Sequence, residues 1–124
     1  MKRTFNVLLV EDDPELGDVT VESLVLLGHV VTLKRTAASA LDALRADHSF
    51  EVVLLDLRLG DERGDSIFAK LQLLRITYPP VIVLSAEPGP ALQLAAERIK
   101  STHMLAKPAS VFQIDGAMRS AVAA

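Results

Sequence analysis

The stretch VVLLDLRLGDERG, residues 52–64, constrains the chain most. Four consecutive apolar residues, Val52–Leu55, run directly into a carboxylate, Asp56. A short unbroken run of Val and Leu suits a strand buried on both faces, as in parallel sheets covered by helices. The residue after such a run stands at the carboxyl edge of the sheet, where open α/β sheets bind ligands. Asp56 therefore reads as a carboxylate presented by a rigid strand. A loop follows it, and a helix opens near Gly64.

The rest of the chain repeats this plan. Asn6–Val10 is a first apolar run, ending at Glu11, Asp12 and Asp13. Asp13 followed by Pro14 reads as an N-cap and first helical residue, and Gly28 stops that helix after Leu27. Val30–Leu33 is a second strand. Thr36 caps a second helix with the stripe Ala37, Ala40, Leu41 and Leu44. After the third strand, Ile67, Phe68, Leu71 and Leu74 mark a third helix, which Tyr78-Pro79-Pro80 breaks. Val81–Leu84 is a fourth strand ending at Ser85. Leu92, Ala95, Ala96 and Ile99 give a fourth helical stripe. Met104–Ala106 is a fifth strand ending at Lys107-Pro108, and Ser110 with Gln113 forms a capping box for a last helix to Val122. Five strands, each followed by a helix, predict an α/β fold with right-handed crossovers. The expectation is a flavodoxin-like (βα)5 three-layer sandwich whose parallel five-stranded sheet has the order 2-1-3-4-5. Its switch point falls between strands 1 and 3, the two that end in carboxylates.

Bulk properties narrow the function. The 124 residues suit one domain spanning 1–124, large enough for a real core. A net charge of −3 and only four Phe and one Tyr leave no basic stripe or stacking platform for nucleic acid. No apolar run approaches the ~20 residues needed to cross a bilayer. The start MKRTFNVLLVEDD meets acids at once and has no small-residue cleavage pattern, so no signal peptide is expected. With no cysteine there is neither a disulfide framework nor a thiolate metal site, and a cytoplasmic location is expected.

The strand ends carry the chemistry. Glu11, Asp12 and Asp13 from strand 1, Asp56 from strand 3, Ser85 from strand 4 and Lys107 from strand 5 converge on one crevice. Crowded carboxylates repel, and a hard dication such as Mg²⁺ relieves the repulsion with oxygen ligands. Asp12 and Asp56 are the candidate direct ligands, with Glu11 acting through water and the Arg58 carbonyl completing the set. Beside such a metal, Asp56 is placed to accept a phosphoryl group. Lys107 would neutralise charge in that transfer, and the Ser85 hydroxyl would bond a phosphoryl oxygen.

These pieces resemble the receiver domain of two-component response regulators over nearly the whole chain. The matching segments are VLLVEDDP, LLDLRLGDERG, VIVLSA and LAKPAS, in order, at the ends of strands 1, 3, 4 and 5. The resemblance implies Mg²⁺-dependent transfer to Asp56 from a sensor histidine kinase or a histidine phosphotransfer protein, followed by hydrolysis. It also implies a downstream protein target on the face formed by helix 4, strand 5 and helix 5, and a signalling module rather than an enzyme. A homodimer is left open. The start at Met1 favours a natural N-terminus, with a receiver cut from a longer regulator or hybrid kinase as the alternative.

The sequence departs from that family at three places. Met104 stands where an aromatic residue usually tracks activation, Ala109 where an aromatic often follows the lysine-proline pair, and Gly60 where a proline is common. These leave the phosphorylation residues intact and put the usual output route in question. A degenerate receiver, binding partners without phosphorylation, is the alternative. A haloacid-dehalogenase-type phosphatase would need an acid two residues after the nucleophile, where this chain has Arg58. Arg58 and Glu87 are further read as a pair overhanging the pocket that slows dephosphorylation. His29, His48 and His103 show no ligand spacing and read as surface or loop residues. Asp61, Glu62, Arg63 and Asp65 read as a solvated loop. Leu24–Leu27 is apolar around the whole helix, with one side a candidate partner surface.

Overall fold

The protein's structure is a computed structural model, which describes residues 3–59, 62–63, 65–86, 97 and 103–123. In chain order its elements are β1 (Asn6–Val10), α1 (Pro14–Leu26), β2 (Val30–Lys34), α2 (Ala37–Ala46), β3 (Val52–Asp56), β4 (Arg58–Leu59), β5 (Glu62–Arg63), α3 (Asp65–Leu73), β6 (Val81–Ser85), β7 (His103–Ala106) and α4 (Val111–Ala123). The five long strands pair in parallel in the order β2-β1-β3-β6-β7. This is the expected 2-1-3-4-5 order, with β6 and β7 as the fourth and fifth strands and α4 as the last helix.

The apolar runs form strands because both of their faces are covered. Leu8, Val10, Val53, Leu55, Val81 and Val83 point to one side, where they pack with Ala40, Leu44, Ile67, Phe68 and Leu71 of α2 and α3. Val7, Leu9, Val52, Leu54, Ile82 and Leu84 point to the other, against Leu24 of α1 and Ile114 and Met118 of α4. Full burial of each such side chain contributes about 1.5–3 kcal/mol.

Helix ends follow the sequence signals closely. Leu16 N–H donates to Asp13 Oδ1 (3.1 Å) and Pro14 opens α1. Thr36 and Ser39 form a capping box on α2, and Ser110 and Gln113 form one on α4. Gly28, at φ 95°, closes α1 while His29 N–H reaches the Leu24 carbonyl (3.2 Å).

Three expectations need correction. Helix α3 stops at Leu73, well before the Tyr78-Pro79-Pro80 segment. Arg75 takes the left-handed conformation (φ 55°), and the Arg75 and Ile76 amides bond back to the Gln72 and Leu71 carbonyls. That motif turns Ile76 into the core and leaves Leu74 exposed rather than on the buried stripe. Second, Glu62 and Arg63 are not a plain loop: they pair antiparallel with Arg58 and Leu59 as a small ribbon, and Asp65 opens α3. Third, His29 is buried, for a reason given below. The fourth helical stripe, Leu92 to Ile99, and Gly60, Asp61, Gly64 and Glu87 lie outside the described residues.

Candidate functional site

Four strand ends build the site. At the end of β1, Glu11 is buried, and its N–H donates to the Lys34 carbonyl (3.0 Å), which fixes the backbone beside β2. Asp12 follows, exposed. Asp56 closes β3 as a strand residue in register with Leu84, buried like its apolar predecessors. Ser85 closes β6, also buried. Lys107 follows β7, and its N–H donates to the Ser85 carbonyl (2.9 Å), so the chain is tied down on both sides of the ammonium.

The Lys107 ammonium joins the two buried carboxylates. Its Nζ lies 2.7 Å from Glu11 Oε1 and 3.0 Å from Asp56 Oδ2. Glu11, Asp12 and Asp56 each bring a carboxylate oxygen within 4.8 Å of the other two. Burial, and then the adjacent Asp56, push the Glu11 carboxyl up to about 7. Burial pulls the Lys107 ammonium down, but its hydrogen bonds to Glu11 and Asp56 outweigh this and hold it above its ordinary value. The donors are hard oxygens clustered together, which fits a cation such as Mg²⁺.

The sequence-derived set is brought together as follows. Glu11, Asp12, Asp56 and Lys107 share one crevice, with Ser85 at the same sheet edge. Arg58 lies in β4, two residues past Asp56, with its backbone paired to Arg63. Met104 stands exposed on β7, and Ala109 packs against the core of the α1–α4 face. An apolar cavity of about 300 Å³ opens beside Lys107, with Leu9, Leu16, Leu84, Ala109 and Ile114 in its wall.

A second polar cluster, at the opposite edge of the sheet, escaped the sequence reading. The His29 side chain is fully buried, stacked on Phe5 at 5.4 Å between ring centroids. Phe5 N–H donates to His29 Nδ1 (3.0 Å), so Nε2 carries the proton and meets Asp115 Oδ1 at 2.7 Å. Arg119 bonds both Asp115 oxygens and reaches the Arg3 carbonyl (2.8 Å). Asp115 lies within the buried stripe of α4, between Ile114 and Ala117. An acid on an apolar helical stripe, four residues before an arginine, is the one sequence signal that could have pointed there.

Comparison with known proteins decides the family. The model of the response regulator receiver domain matches residues 7–119. The chain belongs to the response regulator receiver domain family. Among curated relatives, this receiver is 31% identical over 105 residues to the sensory/regulatory protein RpfC of Xanthomonas campestris, covering 82% of this chain and 14% of that protein. It is 31% identical over 116 residues to the transcriptional regulatory protein KdpE of Mycobacterium tuberculosis, covering 94% of this chain and 50% of that one. The receiver thus spans half or less of the length of these relatives. Among solved structures, a CheY-like receiver domain protein of Methanospirillum hungatei superposes with a TM-score of 0.86 at 20% identity, covering 98% of this chain and 95% of that one. The Francisella response regulator 1452 receiver domain gives 0.84 at 21%, covering 96% and 97%. The fold is therefore the flavodoxin-like receiver fold. No helix among the described residues is long and apolar enough to cross a membrane.

Proposed function

We propose that this receiver is a phosphorylation switch whose acceptor is Asp56. The observation that carries the reading is the Lys107 ammonium, held between Asp56 Oδ2 (3.0 Å) and Glu11 Oε1 (2.7 Å) beside Asp12. A structural salt bridge needs one carboxylate for one ammonium. Three clustered carboxylates are an oxygen donor set that a dication would take, and the dication with Lys107 would then offset the charge of an incoming phosphoryl group.

In this reading Asp12 and Asp56 would hold Mg²⁺, Glu11 would act through water and the Arg58 carbonyl would add a ligand. The ion would offset charge on the carboxylates and on the incoming phosphoryl oxygens. An Asp56 carboxylate oxygen forms the new bond to phosphorus as the phosphorus–nitrogen bond of a phosphohistidine breaks. The donor imidazole leaves with the electron pair and takes up a proton. Lys107 neutralises a phosphoryl oxygen, and the Ser85 hydroxyl donates to another. Strand ends supply these groups, so the pocket needs little rearrangement before transfer. The donor is a sensor histidine kinase or a histidine phosphotransfer protein, met in the cytoplasm. The signal is read by a protein target on the face formed by the helix expected over residues 92–99, β7 and α4; Met104 of β7 and Phe112 of α4 are each exposed.

The test is intact-protein mass after incubation with Mg²⁺ and acetyl phosphate, with Asp56→Asn alongside. One added phosphoryl group is expected in the wild type, and none in the variant or without Mg²⁺. If neither acetyl phosphate nor a phosphorylated histidine kinase labels the wild type, the reading is wrong and the receiver binds partners without phosphorylation.

A further inference from the structure

The feature the phosphorylation site leaves unexplained lies along the β2 edge of the sheet. Among the described residues no strand lies beyond β2. Val30 N–H donates to the Phe5 carbonyl and the Lys34 carbonyl accepts from Glu11, so Val30 and Lys34 turn their backbone groups toward β1. Alternation along a strand then turns the N–H and C=O of Val31 and Leu33 outward, to the open edge. Natural edges are blunted by charge, proline or a bulge. The sequence Val30-Val31-Thr32-Leu33 has none of these before Lys34.

Apolar surface accumulates beside this edge. Leu24 is buried, but Val25 is 51% exposed, Leu26 81% and Val30 65%. A groove of about 410 Å³ runs between α1 and β2, lined by Val21, Val25, Leu26, Val31 and Leu33, with Asp18 and Glu22 at its rim. Open backbone groups next to an apolar groove are what a strand needs in order to add to a sheet.

We infer that this edge and groove take a second copy of the chain, through antiparallel β2–β2 pairing about a two-fold axis at Thr32. The strand is self-complementary in that register. Val31 lies across from Leu33 of the second copy, and these are the two residues whose backbone groups face outward. Each such pair exchanges two hydrogen bonds, and Thr32 faces Thr32 as the close, non-bonded pair between them. A Thr–Thr pair across strands is favourable. Val30 faces Lys34 of the second copy, so no like charges meet across the strands. The axis gathers Val31 and Leu33 of both copies on the groove side, where Val25 and Leu26 cover them. Shifting the axis to Val31 would set Leu33 against His29, whose N–H is already given to Leu24. Shifting it to Leu33 would set Val31 against Arg35. An isologous contact of this kind closes at two copies.

The absence of native cysteine makes the register directly readable. The chain with Thr32→Cys is oxidised mildly and compared with Val30→Cys. Facing Thr32 positions lie about 4.5 Å apart between Cα atoms, within reach of a disulfide. Val30 positions fall roughly 13 Å apart, well outside it. Covalent dimer is expected from Thr32→Cys and not from Val30→Cys. In sedimentation at rising concentration, the wild type is expected to move from 13.4 kDa toward twice that mass. Thr32→Lys, which sets two ammoniums face to face, is expected to stay at the monomer mass with an unchanged helical spectrum. A wild type that is monomeric throughout, or equal cross-linking at both positions, overturns the inference. So does a monomer whose Val31 and Leu33 amides gain exchange protection only when a foreign strand-forming peptide is added, which would give the edge to another partner.

Discussion

Asp115→Ala should destabilise the fold from a place far from the proposed phosphorylation site. The carboxylate accepts from His29 Nε2 at 2.7 Å and from Arg119 at 2.8 Å and 3.2 Å. The His29 side chain has no exposed surface, so its N–H cannot turn to water when the acceptor goes. A buried donor left unsatisfied costs about 1–3 kcal/mol. The partly exposed Arg119 pair adds less than about 1 kcal/mol. The sum is about 1–4 kcal/mol, and its midpoint corresponds to a fall of about 10 °C in Tm for a domain of this size. Asp115→Asn keeps an oxygen for His29 but loses the charge and the acceptor facing Arg119 Nε, and should cost about 1 kcal/mol. Urea unfolding of the three proteins, with an unchanged slope, reads these differences. Equal losses for Ala and Asn would refute the argument, since it rests on the orphaned histidine proton. The pH dependence is a second check. Burial raises the Asp115 carboxyl, but Arg119 and His29 outweigh it and hold it below its ordinary value. The unfolded chain therefore takes up this proton first as pH falls. The wild-type advantage over Asp115→Asn should be constant above about pH 5 and shrink below about pH 4.

Two further outcomes follow from local geometry. Glu11 sits at about 7 in the fold against 4.5 ordinarily, so ionising it works against folding as pH rises between those values. Without metal, the protein should melt lower near pH 8 than near pH 5.5, Glu11→Gln should flatten that slope, and Mg²⁺ should raise Tm more at the higher pH; thermal scans in EDTA and then Mg²⁺ read all three. Gly28→Ala should cost about 1–2 kcal/mol in thermal melts, because φ is 95° and the new Cβ would lie 2.9 Å from Thr4 Cγ2.

The legibility of this fold followed the range of the forces involved. Val52–Leu55 was readable because a strand covered on both sides needs no alternation, and the strand order then followed from handedness and helix spacing. Asp13, Thr36 and Ser110 were readable because caps act within one turn of their own residue. The end of α3 was not, because the left-handed turn at Arg75 is set by the burial of Ile76 rather than by a glycine or proline. Nor was His29, whose partners Phe5 and Asp115 are far from it in sequence, Asp115 by 86 residues. Periodicity carries no information about such pairs. Lys107 was legible at a comparable separation from Glu11 only because several strand ends were read together as one edge.

The two ends of the sheet treat buried charge in opposite ways, and the contrast separates function from structure. At the amino edge, Asp115 has a guanidinium and an imidazole N–H around one carboxylate, and its carboxyl is held low. Every charge there has a partner, and nothing remains to attract a ligand. At the carboxyl edge, Glu11, Asp12 and Asp56 bring their carboxylate oxygens together beside the Lys107 ammonium, and Glu11 is driven up. Folding alone would favour replacing one of those acids with an apolar side chain, since an incompletely neutralised buried cluster costs stability. A chain that keeps all three on strand ends facing one crevice holds a set of hard oxygen donors suited to a cation. That donor set is the physical basis for proposing a cation beside Asp56, and the cation with Lys107 would in turn offset the charge of a phosphoryl group there.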